Sequence, residues 1–155
     1  MIHPQLRADR RRGAAVVEAA LVIGLLFLVL FGIYEYGRLL MVQNLAEHAA
    51  REGAREAVVQ FTADRDQDGL DAATDRVRAA VLQAMGSQLP QVDGFRIDVV
   101  RADPTTGADA GPWYAARHGE PIAVRVTGTY RPAARFFMPA TVPVRVQATM
   151  SSEAN

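Results

Sequence analysis

Residues 10–36 read RRRGAAVVEAALVIGLLFLVLFGIYEY. A basic run ends at Gly13, and an almost unbroken apolar run follows, interrupted by one carboxylate, Glu18. Ala14 to Tyr34 is 21 residues. As a helix that is about 31 Å, enough to cross a hydrocarbon core. A cleaved secretory signal has a shorter apolar region that ends in small residues at the cut. Here the run continues into GIYEYGRLL without such a site, so we read a retained span. Arginine beside an apolar span is kept on the cytoplasmic side. The expected layout is a basic leader at 1–13, a transmembrane segment at 14–36, a helix continuing at 37–61, and a small extracytoplasmic part at 62–155. Tyr34 and Tyr36 then lie at the far interface, with Arg38 snorkelling or in water.

The rest of the 155-residue chain suits one modest domain. Net charge is zero, so no global field draws nucleic acid. There is no cysteine, which excludes disulfides, thiolate metal sites and cysteine nucleophiles.

Beyond the span, GRLLMVQNLAEHAAREGAREAVVQF (37–61) keeps a helical pattern with no proline. Ala46, Ala50 and Ala54 fall in steps of four, with Ala49, Gly53 and Ala57 beside them. Such a stripe admits close packing of a sheet or of another helix. Residues 62–74 read as a polar break. Residues 73–86 read as a second helix with Val77, Val81, Leu82 and Met85 on one face and Gly86 as its stop. The period then becomes two around Phe95–Val100, Ile122–Thr127 and Val142–Met150, which predicts three strands, Pro143 marking an edge. Asp103–Gly119 reads as a long connection. Phe136, Phe137 and Met138 either close the core or form a sticky tip, and Trp113 and Tyr114 either anchor their loop or offer a contact surface. The fold class expected is α+β: a long N-terminal transmembrane and amphipathic helix, a short second helix, and a three-stranded antiparallel sheet covered by the small-residue face of the first helix.

A carboxylate inside an apolar span is costly, so Glu18 is a functional candidate. Basic residues, a glycine, and a hydrophobic helix with Glu at the fifth place after that glycine resemble the processing signal of type IV prepilins and pseudopilins. The longer match is to the TadE-like pseudopilins of tight-adherence (Tad) pilus systems. It rests on Arg11, Gly13, Val17 and Glu18; on Phe31, Gly32, Ile33, Glu35, Tyr36, Gly37 and Arg38; and on Ala49 to Arg55. This resemblance implies a pilin-like fold and a cut by prepilin peptidase between Gly13 and Ala14. It also implies a docking role for Glu18, and partners among the membrane, the peptidase and other Tad pilins and pseudopilins. Where relatives carry a proline within the span, this chain has Gly24.

Asp64, Asp66, Asp68 and Gly69 form D-x-D-x-D-G, the first half of a calcium loop. On that reading Asp64, Asp66, Asp68, the Leu70 carbonyl and Asp75 hold calcium. Asp at the twelfth place and Asp71 at the eighth depart from the pattern. The other reading is a solvated acidic turn with Asp71 or Thr74 capping the next helix. No catalytic arrangement is legible: His3, His48 and His118 are scattered, and no nucleophile–base or phosphate-loop pattern occurs. The expectation is a non-enzymatic, inner-membrane, single-pass pseudopilin with its N-terminus inside. The rival is an unprocessed, signal-anchored periplasmic binding module, calcium-dependent if the acidic loop is filled.

Overall fold

The computed structural model describes residues 5–61, 67–117, 119–133 and 138–151. Helix α1 runs from Gln5 to Phe61, 57 residues without a break, about 85 Å at the helical rise. No proline lies between Pro4 and Pro90 to interrupt it. Its two halves differ in surroundings. Val16 to Tyr34 expose their large apolar side chains to 49–70%. Within Gly13–Phe61 an 18-residue window has mean hydropathy 2.8, and none of that window is buried in the domain. The N-terminal part of the helix is thus long and apolar enough to cross a membrane.

The second half of α1 carries the domain. Leu39, Val42, Ala46, Ala49, Ala50, Ala54, Ala57 and Phe61 are buried. Their spacing of three and four puts them on one face. The alanine stripe covers the sheet, as the pattern predicts, and also packs on helix α2, Gln67–Met85. Ala73, Val77, Val81 and Met85 form the buried row of α2. Leu82 does not join them and is 42% exposed. The row of fourfold steps faces the core, and Leu82 falls beside it. Gly86 ends the helix with φ +48°, a left-handed conformation that glycine adopts without strain.

Helix α2 begins six residues before the expected position 73. A carboxylate-rich run is stabilised at a helix N-terminus by the helix dipole, so the polarity that reads as a break also suits first turns.

The sheet has four strands, one more than expected: β1 Val92–Ala102, β2 Asp109–Pro112, β3 Pro121–Tyr130 and β4 Val142–Ser151. All pairs are antiparallel and the order is β2-β1-β3-β4. The extra strand arises inside the expected long connection. Its sequence, DAGP, has no alternation and gives no strand signal. Side chains hold it instead. Arg101 Nη2 donates to the Ala110 carbonyl at 2.6 Å. The preceding turn is built on Asp103, whose carboxylate accepts from the backbone N–H groups of Thr106 and Thr105. Those bonds hold its carboxyl below the usual carboxylate range. Just past β2, Trp113 is buried and its indole N–H donates to Thr74 Oγ1 at 3.1 Å, tying this corner to α2. Trp113 is therefore a core anchor, and Tyr114 stays 43% exposed. Phe136 and Phe137 lie outside the described residues; Met138 packs against the core. Pro143 does sit on an edge strand, β4.

Candidate functional site at the exit of the apolar helix

Glu35 lies at the junction of the two halves of α1. It precedes Leu39, Val42 and Ala46 by four, seven and eleven residues, so it continues the core face one turn toward the apolar half. It is 1% exposed, the one charged residue among the buried described side chains. Tyr34 and Tyr36 on either side of it are exposed.

Buried carboxylates require partners, and Glu35 has several. Tyr130, the last residue of β3, donates its hydroxyl to Glu35 Oε1 at 2.8 Å. The backbone N–H of Ala133 donates to the same oxygen at 2.9 Å. Arg38, one turn further along α1, lies 3.7 Å from Oε2. Arg38 in turn donates to Gln91 Oε1 at 2.8 Å. Its guanidinium sits 5.9 Å from the Tyr34 ring and 6.0 Å from the Tyr130 ring, within cation–π range. Arg38 thereby closes a network around Glu35. Together these groups join α1, the short 3-10 turn that ends at Gln91 just before β1, and the end of β3 at a single point where the apolar helix leaves the domain.

Burial pushes the Tyr130 hydroxyl pKa up to about 12, and the bond to Glu35 adds to the rise. Tyrosine in an unfolded chain ionises near 10. Between about pH 10 and 12 the unfolded chain therefore loses this proton while the folded one keeps it, and stability falls as pH rises. The loss should approach roughly 3 kcal/mol by the upper end of that window. Below pH 10 this contribution is fully present. Denaturant titrations of wild type and Tyr130→Phe across pH 8–12 check it. The variant should start less stable and show a shallower alkaline decline.

The residues singled out from sequence sit elsewhere. Gly13, Ala14 and Glu18 are exposed on α1 and are not drawn into the domain. Glu18 lies seventeen residues before Glu35, about 26 Å along the helix. Asp64, Asp66 and the Asp68 side chain lie outside the described residues. Leu70 and Asp75 are in α2: the Leu70 carbonyl accepts from Thr74 Oγ1 at 2.9 Å, and Asp75 pairs with Arg78 at 3.5 Å. Among the described residues no group of three or more histidine, aspartate or glutamate side chains is placed to hold a metal ion. His48 is exposed on α1.

The role of Glu35 was missed from sequence, where its aromatic neighbours direct attention to the membrane interface. The signal that finds it is the spacing to Leu39, Val42 and Ala46, which places a carboxylate on the buried stripe.

A family model described as TadE-like protein matches residues 13–55. That range takes in the apolar half of α1, Glu35 and Arg38, and most of the alanine stripe. No curated protein and no solved structure matches the chain.

Proposed function

With a TadE-like segment at residues 13–55 as the premise, we propose that this chain is a minor pseudopilin or assembly factor of a Tad-type pilus. The family match supports a part in a Tad pilus system in general. The finer reading is a single-pass protein of the inner membrane, its N-terminus in the cytoplasm and its domain outside. Prepilin peptidase cuts between Gly13 and Ala14 and removes the arginine-rich leader. The role is assembly and not catalysis.

The observation that carries this reading is the division of α1. One continuous helix holds a fully exposed apolar half, with Gly13 and Glu18 near its start, and a buried half that bears the domain. An exposed apolar helix needs lipid or other helices around it. It can take lipid first and neighbouring subunits afterwards without refolding. After the cut, Ala14 carries a free ammonium. An adjacent subunit's Glu18 can pair with it, which offsets the cost of burying both charges.

Mass spectrometry of the protein extracted from its native membrane tests the cut: a mature chain beginning at Ala14 is expected. A chain still beginning at Met1 or Ile2 would overturn the processing and favour the unprocessed anchored module. Glu18→Ala should insert and fold normally yet lose most pilus assembly, counted by electron microscopy. Wild-type pilus numbers in that variant would remove the docking role.

A further inference from the structure

The two edges of the sheet are treated differently. Exposed strand edges invite pairing, and proteins usually blunt them. The β2 edge is blunted: its four residues include Pro112, which has no N–H. The Ala110 carbonyl is taken by Arg101 and the Gly111 N–H by the Asp109 carboxylate at 2.8 Å. The β1–β2 register is also broken by a bulge. The β4 edge is the opposite. Its ten residues pair in unbroken register with β3 on one side, Pro121↔Ser151 to Tyr130↔Val142, and among the described residues no strand pairs with the other side.

A trough runs along that open side. Two adjoining hollows of about 510 and 470 Å³ share Glu47, Arg145 and Val146. Consecutive residues 143–150 of β4 form one wall, as expected for a groove along a strand's edge. The other wall is α1. Gln43 and Glu47 stand beside the first half of β4, and Glu47 and Arg51 beside the second. A helix rises about 6 Å between residues four apart. A strand advances about 6.7 Å between residues two apart. Gln43, Glu47 and Arg51 therefore match every second residue of a strand laid in the trough.

The geometry points to strand addition: the β4–α1 trough is a docking site for an extended polypeptide segment of a partner protein, running antiparallel to β4. A second copy anchored in the same bilayer does not supply an antiparallel guest. β4 starts at Val142, opposite the Tyr130 bonded to Glu35, and runs away from the apolar helix. Copies anchored in one bilayer have their β4 strands pointing the same way, so they cannot pair antiparallel, and the β2 edge is closed. An antiparallel guest meets Arg51 first, then Glu47, then Gln43. The chemistry that fits is an acidic residue, a basic residue two places on, and an amide or hydroxyl two places beyond that. The exposed Arg51–Glu47 pair, 3.0 Å apart, opens at little cost to receive them. The trough lies in the folded domain, so the inference stands whether or not Gly13 is a cut site.

The test uses the full chain in detergent micelles and the capped peptide TETKTQT, with TKTETQT as the order-reversed control. Fluorescence anisotropy should give a micromolar dissociation constant for the first and a roughly fivefold weaker one for the second. Amide shifts should concentrate in residues 43–51 and 142–151. The first peptide N-methylated at alternate residues should not bind. The double variant Glu47→Arg with Arg51→Glu keeps an ion pair on the helix and should invert the preference. Failure of both peptides to bind, binding indifferent to N-methylation, or a preference unchanged in the double variant would each overturn the proposal.

Discussion

Glu35→Ala is expected to lower the stability of the domain by roughly 3–5 kcal/mol, the largest effect of any single truncation among the described polar side chains. The side chain is a shared acceptor. Tyr130 Oη and the Ala133 N–H both end on one of its oxygens, and Arg38 stands beside the other. Removing it leaves two donors without their acceptor. Tyr130 is fully buried, so water reaches its hydroxyl only if the β3 end opens. The Tyr130 hydroxyl left buried and unsatisfied costs about 1–3 kcal/mol, and loss of the bond from the exposed Ala133 and of the charge beside Arg38 adds to it. Since whole domains hold about 5–15 kcal/mol, this loss takes a large share of the total. Glu35→Gln keeps an acceptor for both donors and loses only the charge beside Arg38; about 1–2 kcal/mol is expected. Urea unfolding of the full chain in micelles, followed by Trp113 fluorescence, measures both. If Glu35→Ala unfolded within 1 kcal/mol of wild type, the network would not hold the domain to the helix.

Glu35 also marks what the sequence makes legible. The apolar half of α1 is readable because an apolar run of that length, broken only by Glu18, has few alternatives. The alanine stripe and the three long strands are readable because each alternates with one fixed period. Glu35 obeys the same period as Leu39 and Val42, yet an acid at a core position contradicts the apolar pattern that defines a core. Only the partner groups from Tyr130, 95 residues later, make it acceptable there. Long-range polar satisfaction has no local signature. Strand β2 was hidden for a related reason: Arg101 and Asp109 hold DAGP in place by side-chain bonds, and periodicity does not report those. The cut after Gly13 and the role of Glu18 remain expectations that the resemblance implies, since neither residue is drawn into the domain.

The Glu35 network sits where the surroundings of α1 change from exposed to buried. Tyr130, Ala133, Gln91 and Arg38 cluster at that point on α1. The alanine stripe then distributes the rest of the contact along the following turns to Phe61.

The second large effect is expected at Gly53, where three elements meet. A Cβ there would overlap Val81 Cγ2 of α2 and stand 3.2 Å from Val124 Cγ1 of β3. Neither neighbour yields readily: both valines are fully buried, and a β-branched side chain in a helix is held to one rotamer. Gly53→Ala gains up to about 1 kcal/mol of helix propensity, which offsets part of an overpacking cost of about 1–3 kcal/mol. Gly53→Val adds two methyl groups beyond alanine's and loses most of that propensity gain, so α2 must move off α1; about 3–5 kcal/mol is expected. Overlap with Val81 predicts its own remedy. In Gly53→Ala with Val81→Ala the new methyl occupies space the valine has left, so the pair should be less destabilised than the sum of the single variants by about 1 kcal/mol or more. A cycle of urea denaturations on the four chains reads this coupling. Strict additivity would mean that Gly53 is not the contact that sets how closely α2 approaches α1.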